Sequence, residues 1–275
     1  MSDPAEWSPL RTEDGSWTLR APGHGEACHS RSGAWGEALV RFAGGCRLRA
    51  RVAEDGLASL RVLDVGTGLG LNLDAALATL TNEDDRPVAR LDAVTLERDP
   101  GVIRAALALA QPAADARAAR ASDRVRRALA RGLLEAPVDW DDDLPRGELR
   151  LLLGDARETL LGIPEGPRFD AVFLDPFSPA REPELWEPAF LASIARRMAP
   201  GSLLSTYSAA FAVRLALARA GLVVGRGPAY GRKTEGTLAS PDRALPPLEA
   251  RVVGRLRREL ASRGDSGRDL PHPSG

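Results

Sequence analysis

Apolar runs of five or six residues alternate with longer stretches of helical spacing from residue 60 onward. Segments 60–65 (LRVLDV), 91–96 (LDAVTL), 149–153 (LRLLL), 169–174 (FDAVFL) and 202–207 (SLLSTY) have the length and aliphatic content of strands buried on both faces. Between and after them, 70–80, 100–110, 122–135, 155–161, 186–198 and 209–220 predict helices. Strands joined by helical crossovers predict an α/β fold, a mostly parallel sheet with helices on both faces. GLVVGRGPAYGRKTEGTLAS, from Gly221, offers two further strands with no helix between them. A hairpin there completes a seven-stranded sheet with one antiparallel strand.

The flanks read differently. Residues 1–26 are rich in Pro, Gly and Trp and predict an irregular arm, with a short hairpin around Asp14-Gly15. Apolar positions 35, 38, 39 and 42 have helical spacing, and Ser32 is placed to cap that helix. Between the second and third strands, 111–148 carries an Ala/Arg-rich helix and an acidic loop (DWDDDLPRG), more than a crossover needs. The α/β domain is expected over 27–242. In 243–275, a basic amphipathic stretch at 248–261 precedes a Gly/Ser/Pro end expected to be disordered.

Candidate chemistry begins where the first strand ends, at Asp64, Gly66, Gly68 and Gly70 (LRVLDVGTGLG). A strand entering a glycine-rich turn and then a helix cradles nucleotide-like cofactors, because glycine turns sharply and exposes backbone N–H groups. A tight turn without a ligand would need the same residues. Acids after the next strands favour the cofactor. Glu97 ends the second strand, where a carboxylate can accept two ribose hydroxyls; the alternative is a solvated strand-end acid. Asp155 follows the third strand and fits both a helix cap and a cofactor contact. Leu71 stands where a dinucleotide fingerprint has its third glycine, which argues against a pyrophosphate.

The D-x-G-x-G-x-G form resembles the first motif of Rossmann-like class I S-adenosyl-L-methionine-dependent methyltransferases. The resemblance implies that the methionine part crosses Gly66, Gly68 and Gly70, with Asp64 meeting its amino end directly or through water. It also implies Glu97 at the ribose, and Asp155 and the Ala156 N–H at the adenine.

The fourth strand ends in LDPFSPAREPELW, where a doubly wound sheet binds ligands. Pro176, Pro179 and Pro183 stiffen the loop. Phe177 either lines a pocket or anchors the loop to the core. Asp175 can orient an amine and take its proton. Adenine amino-methyltransferases usually carry Asn/Asp-Pro-Pro-aromatic here, a pattern that Asp175-Pro176-Phe177 does not match.

HSRSGAWGEA, LDVGTGLGLN, LLLGDARETL, LDPFSPAREPELW, GSLLSTYSAA and GRGPAYGRKTEGTLA occur in this order over roughly 27–240. Together they resemble the methyltransferase domain of the bifunctional tRNA 5-methylaminomethyl-2-thiouridine biosynthesis protein family. That resemblance implies methyl transfer from S-adenosyl-L-methionine to the aminomethyl nitrogen of a tRNA wobble uridine. Asp175 would face the amine, with Phe177, Arg232 and Lys233 binding the substrate. The family carries a C-terminal flavin-dependent oxidase domain. This chain has no second glycine fingerprint, so it reads as a stand-alone relative whose oxidase partner is separate.

Composition narrows the picture further. A hydrophobic content of 44% excludes wholesale disorder, and a net charge of −1 excludes a global basic field. RNA contact would therefore be local. Arg47, Arg49 and Arg51, Arg126, Arg127 and Arg131, or Arg226, Arg232 and Lys233 are either phosphate contacts or solvated faces. Cys28 and Cys46 form neither a metal-ligand spacing nor a disulfide framework, so no metal is expected. With no membrane-length apolar run and no signal-peptide pattern, a cytoplasmic protein is expected. His24 and His29 read as structural. The competing functions are a spermidine-synthase-like aminopropyltransferase and a non-catalytic cofactor-binding module.

Overall fold

The computed structural model describes residues 6–23, 25–82, 88–140, 147–164, 169–232 and 234–262. A hairpin, β1 (Ser8–Arg11) and β2 (Trp17–Arg20), turns at Asp14-Gly15 as expected. The main sheet comprises β3 (Ser59–Val65), β4 (Arg90–Glu97), β5 (Val138–Asp139), β6 (Glu148–Leu153), β7 (Phe169–Leu174), β8 (Met198–Thr206), β9 (Val223–Gly227) and β10 (Gly236–Ser240). Its order is β5-β6-β4-β3-β7-β8-β10-β9. The central strands β6, β4, β3, β7 and β8 are parallel, and β10 enters antiparallel between β8 and β9. Eight strands stand against the seven expected. The extra one is the two-residue β5 at the antiparallel edge, too short to leave a period in the sequence.

Alternation within the strands sorts the core onto two faces. Leu60, Val62, Leu91, Ala93, Ala171 and Phe173 enter one cluster. Leu63, Val65, Leu96, Val172 and Leu174 enter the other. On the first face lie α1 (Ala34–Glu37), the π-helical continuation Ala38–Gly44, α2 (Leu48–Glu54), α3 (Leu71–Thr79), α4 (Pro100–Leu107) and α5 (Ala116–Gly132). On the second lie α6 (Ala156–Leu161), α7 (Pro188–Ala195), α8 (Phe211–Arg219) and α9 (Ala250–Ala261). The amphipathic stretch at 248–261 thus contributes α9, which buries Val253, Leu256 and Leu260 and sets Arg255 3.8 Å from the Phe211 ring centroid.

Several local expectations change. Gly33, not Ser32, precedes α1, and no side chain caps it. Helix α5 starts six residues before the expected 122, capped by Asp115, which accepts from Ala118 N–H. Its first turns hold Ala and Arg only, so apolar periodicity misses them. Arg47, Arg49 and Arg51 belong to α2 and its start. Arg51 is buried between Asp55 and Asp170, and Arg126 donates to the Ala106, Leu107 and Leu109 carbonyls at the C-terminal end of α4. Neither guanidinium is a phosphate contact here. The acidic residues 141–143 lie outside the described residues.

Asp74, buried in α3, carries a prediction. Burial pushes its carboxyl up to about 7, against the pull of Ser122 and Arg126. The folded state therefore holds a proton that the unfolded chain releases near the ordinary value of 3.8. The associated stability is full below that value and is lost as pH rises through about 7. Asp74→Asn is expected to match wild type near pH 4 and to exceed it at pH 8 by about 4 kcal/mol. Denaturant unfolding at both pH values measures the difference.

Candidate active site

A cavity of about 440 Å³ opens beyond the carboxyl ends of β3, β4, β6 and β7, where the strand order changes direction. One wall is the turn after β3. Gly66 adopts φ +90°, and its N–H donates to the Leu96 carbonyl at 3.0 Å. A methyl group added there would lie 2.7 Å from the Asp175 carbonyl oxygen. Gly68 (φ +51°) has open space where a Cβ would go and donates its N–H to Glu97 Oε2 at 3.0 Å. Gly70 stands outside the cavity lining, because its missing Cβ admits Leu129 and Val125 of α5.

Asp64 lies beneath this turn rather than on the cavity wall. Its Oδ2 accepts from Thr95 Oγ1 at 2.8 Å, and Thr95 in turn meets Thr67 Oγ1 at 2.5 Å. Burial pushes the Asp64 carboxyl up to about 7. Its placement supports the turn from below, one layer behind the residues that line the cavity.

Glu97 ends β4 at the cavity. The N–H groups of Gly68 and Asp99 hold its two oxygens, and each oxygen keeps acceptor capacity for a ribose hydroxyl. Burial raises its carboxyl above the ordinary range, while those N–H groups oppose the shift. Asp155 does two jobs. It caps α6 by accepting from Arg157 N–H at 2.9 Å, and with Ala156 it lines the cavity. The Arg157 guanidinium holds its carboxyl below the ordinary range. Size, an open glycine turn, a strand-end acid and an acid beside a helix start together fit a nucleoside carrying an amino-acid arm.

A second wall of the cavity, packed against the glycine turn, is built on the loop after β7. Asp175 Oδ2 accepts from Asn72 Nδ2 at 2.9 Å. Tyr207 donates its hydroxyl to the Pro176 carbonyl at 3.0 Å. Burial first, then Asp175, Glu26, Glu37 and Glu182, push the Tyr207 phenol well up, so it stays protonated. Phe177 turns its ring to the cavity. Its carbonyl accepts from Trp186 Nε1, and its ring lines the cavity under Trp7, with centroids 6.3 Å apart and planes 18° from parallel. Trp7 also donates its indole N–H to Asp99 Oδ2 at 2.7 Å, so one side chain spans from the end of β4 to the loop after β7. Arg181 lies 3.6 Å from Glu26, which also accepts from Ser178.

Cys28 and His29 line the cavity without reactive character. Burial, then Glu97 and Asp175, push the Cys28 thiol up, away from the nucleophilic thiolate. Burial lowers His29, which is neutral near pH 7 and meets Thr18 Oγ1 at 3.2 Å. Arg232 is 91% exposed on its side chain and sits 3.6 Å from Glu13, outside the cavity lining. Lys233 and His24 lie outside the described residues. Among the described residues no cluster of His, Cys, Asp and Glu could hold a metal ion, and no helix is long and apolar enough to cross a membrane.

Sequence reasoning missed Trp7, Glu26, Glu37, Asn72, Asp99 and Tyr207. Asn72 alone left a local signal, as a polar residue at the start of a mostly apolar helix.

Comparison with known proteins agrees with this geometry. A family described as S-adenosyl-L-methionine-dependent methyltransferase matches residues 123–242. The tRNA 5-methylaminomethyl-2-thiouridine biosynthesis bifunctional protein MnmC of Ralstonia nicotianae is 37% identical over 223 residues, covering 77% of this chain and 31% of that protein. An uncharacterized protein of Methanocaldococcus jannaschii, MJ0670, is 33% identical over 84% of this chain and 58% of its own length. The chain thus spans about a third of the bifunctional relative and over half of the archaeal one. The crystal structure of MnmC2 from Aquifex aeolicus superposes with a TM-score of 0.76 at 31% identity, covering 92% of this chain and 76% of that one. With Glu97, Asp155 and the glycine turn gathered at one cavity, the chain belongs to the MnmC2 family of S-adenosyl-L-methionine-dependent methyltransferases.

Proposed function

We infer that this chain methylates the aminomethyl nitrogen of a tRNA wobble uridine, using S-adenosyl-L-methionine. The observation that carries the reading is Asp175, held by Asn72 in the same cavity as the glycine turn and Glu97. The names of the MnmC relatives supply the uridine. Gly66, Gly68, Glu97, Asp155 and Ala156 are the residues that would hold the cofactor, and when bound it supplies an electrophilic methyl carbon.

The rest is done by the chain's own groups. An alkylamine arrives as an ammonium and must lose a proton before its lone pair can attack. Asp175 orients it and takes that proton, directly or through water, and passes it to solvent. Transfer of the methyl group to the amine would leave positive charge on the nitrogen. A carboxylate beside that nitrogen stabilises the developing charge. Trp7 and Phe177 keep the cavity screened from water, which strengthens this interaction. On this reading the reaction takes place in the cytoplasm, and a flavin-dependent oxidase acts on the same uridine.

The acids that join Asp175 from distant segments keep aminopropyl transfer as the second reading. Purified protein is expected to bind S-adenosyl-L-methionine by calorimetry and to transfer labelled methyl to tRNA carrying 5-aminomethyluridine. Reaction of decarboxylated cofactor with putrescine, and none with that tRNA, would establish the second reading. Absence of cofactor binding would sink both.

A further inference from the structure

Glu37, at the end of α1, lines the cavity at 5% exposure, and the reaction above gives it no task. Its Oε2 accepts the Ser30 N–H at 2.7 Å, and its Oε1 lies 3.2 Å from Arg41 Nε. Arg41 is fully buried in the π-helical segment, a backbone form that often marks functional sites. The Arg41 terminal nitrogens donate to the carbonyls of Pro228 at 2.8 Å and Tyr230 at 3.3 Å, on the loop between β9 and β10.

These groups share a neighbourhood with Asp175. Asp175 and Glu37 both act electrostatically on Arg41 and on Tyr207. Two carboxylates around one guanidinium leave a net negative charge beside the cavity. A buried ion pair kept only for packing is a poor exchange for apolar side chains, because desolvation offsets most of its attraction. A carboxylate held in place by Ser30 and Arg41, yet facing the cavity, suits recognition of a cation instead.

We propose that Glu37 is a second carboxylate of the target site, which receives the ammonium of the incoming amine alongside Asp175 and selects it over a neutral isostere. This rests on the amine-methylation reading. Arg41 is the positioning residue that fixes Glu37 against the 228–230 loop.

The test compares anticodon stem-loops carrying 5-aminomethyluridine and 5-hydroxymethyluridine, with Kd measured for each. Wild type is expected to prefer the aminomethyl form by at least tenfold. Glu37→Gln should reduce that preference at least fivefold, while the Kd for S-adenosyl-L-methionine moves less than twofold. The pair Glu37→Gln/Arg41→Met, which leaves no orphaned guanidinium, should show the same loss and serves where the single variant does not fold. Equal weakening of both stem-loops, or an unchanged preference in an otherwise active protein, would overturn the role of Glu37 alone. A wild type that transfers no methyl to the aminomethyl form would overturn the underlying reading, and this inference with it.

Discussion

Asp175→Ala is expected to lower kcat for methyl transfer by about 10²–10³-fold, while the Kd for S-adenosyl-L-methionine stays within about threefold. The two measurements separate because of where Asp175 sits. Its carboxylate accepts from Asn72, while Gly68 and Glu97 are joined to each other by their own hydrogen bond. Truncation should therefore leave the cofactor end standing and remove the group that orients the amine and faces the charge developing on it. Asp175→Asn sharpens the point. The amide oxygen can still accept from Asn72, so geometry survives and charge does not. If charge is what matters, Asn should be nearly as slow as Ala. Near wild-type turnover in Asp175→Asn would reduce the residue to a spacer and remove the basis for amine activation.

The strands were legible because a doubly buried strand leaves a short aliphatic run whatever packs on it. The acids at strand ends were legible for the same reason, since a known strand end fixes Glu97, Asp155 and Asp175 at one edge of the sheet. Asp64 shows where this stops. It shares parity with Leu60 and Val62, so its side chain enters the interior beside Thr95 instead of following the glycines toward the cavity. Sequence spacing places the residue but not the face. The rest of the site comes from far away along the chain. Trp7 reaches Asp99 across 92 positions, and Glu26 reaches Ser178 across 152. No periodicity encodes such contacts; they appear only when the hairpin and the 25–33 segment close over the sheet. Arg232 lies at the surface beside Glu13, outside the cavity lining, where a sequence motif gives no sign of exposure.

The glycine turn offers the second large effect, because residues that look equivalent in sequence should respond in opposite ways. Gly66→Ala is expected to destabilise the protein by on the order of 2–4 kcal/mol, from left-handed strain at φ +90° together with overpacking. The added methyl would sit 2.7 Å from a backbone oxygen, that of Asp175, and 3.3 Å from the Pro176 Cα, so no flexible side chain can give way. Relief requires the two loops to part, which moves Asp175 itself. A displacement near 1 Å at a reacting group can cost about 10²-fold in rate, so methyl transfer should fall at least that far in the fraction that folds. Gly68→Ala meets no atom within 4 Å. It incurs only the strain of φ +51°, about 1–2 kcal/mol, and its methyl enters space the cofactor would use. Its expected signature is a weakened Kd for S-adenosyl-L-methionine with most of kcat retained at saturation. Thermal unfolding, calorimetry and saturating-cofactor kinetics on both variants check the pair. Should Gly68→Ala prove the more destabilised, or Gly66→Ala retain full turnover, the close packing of the glycine turn against the Asp175 loop is not what positions the target site.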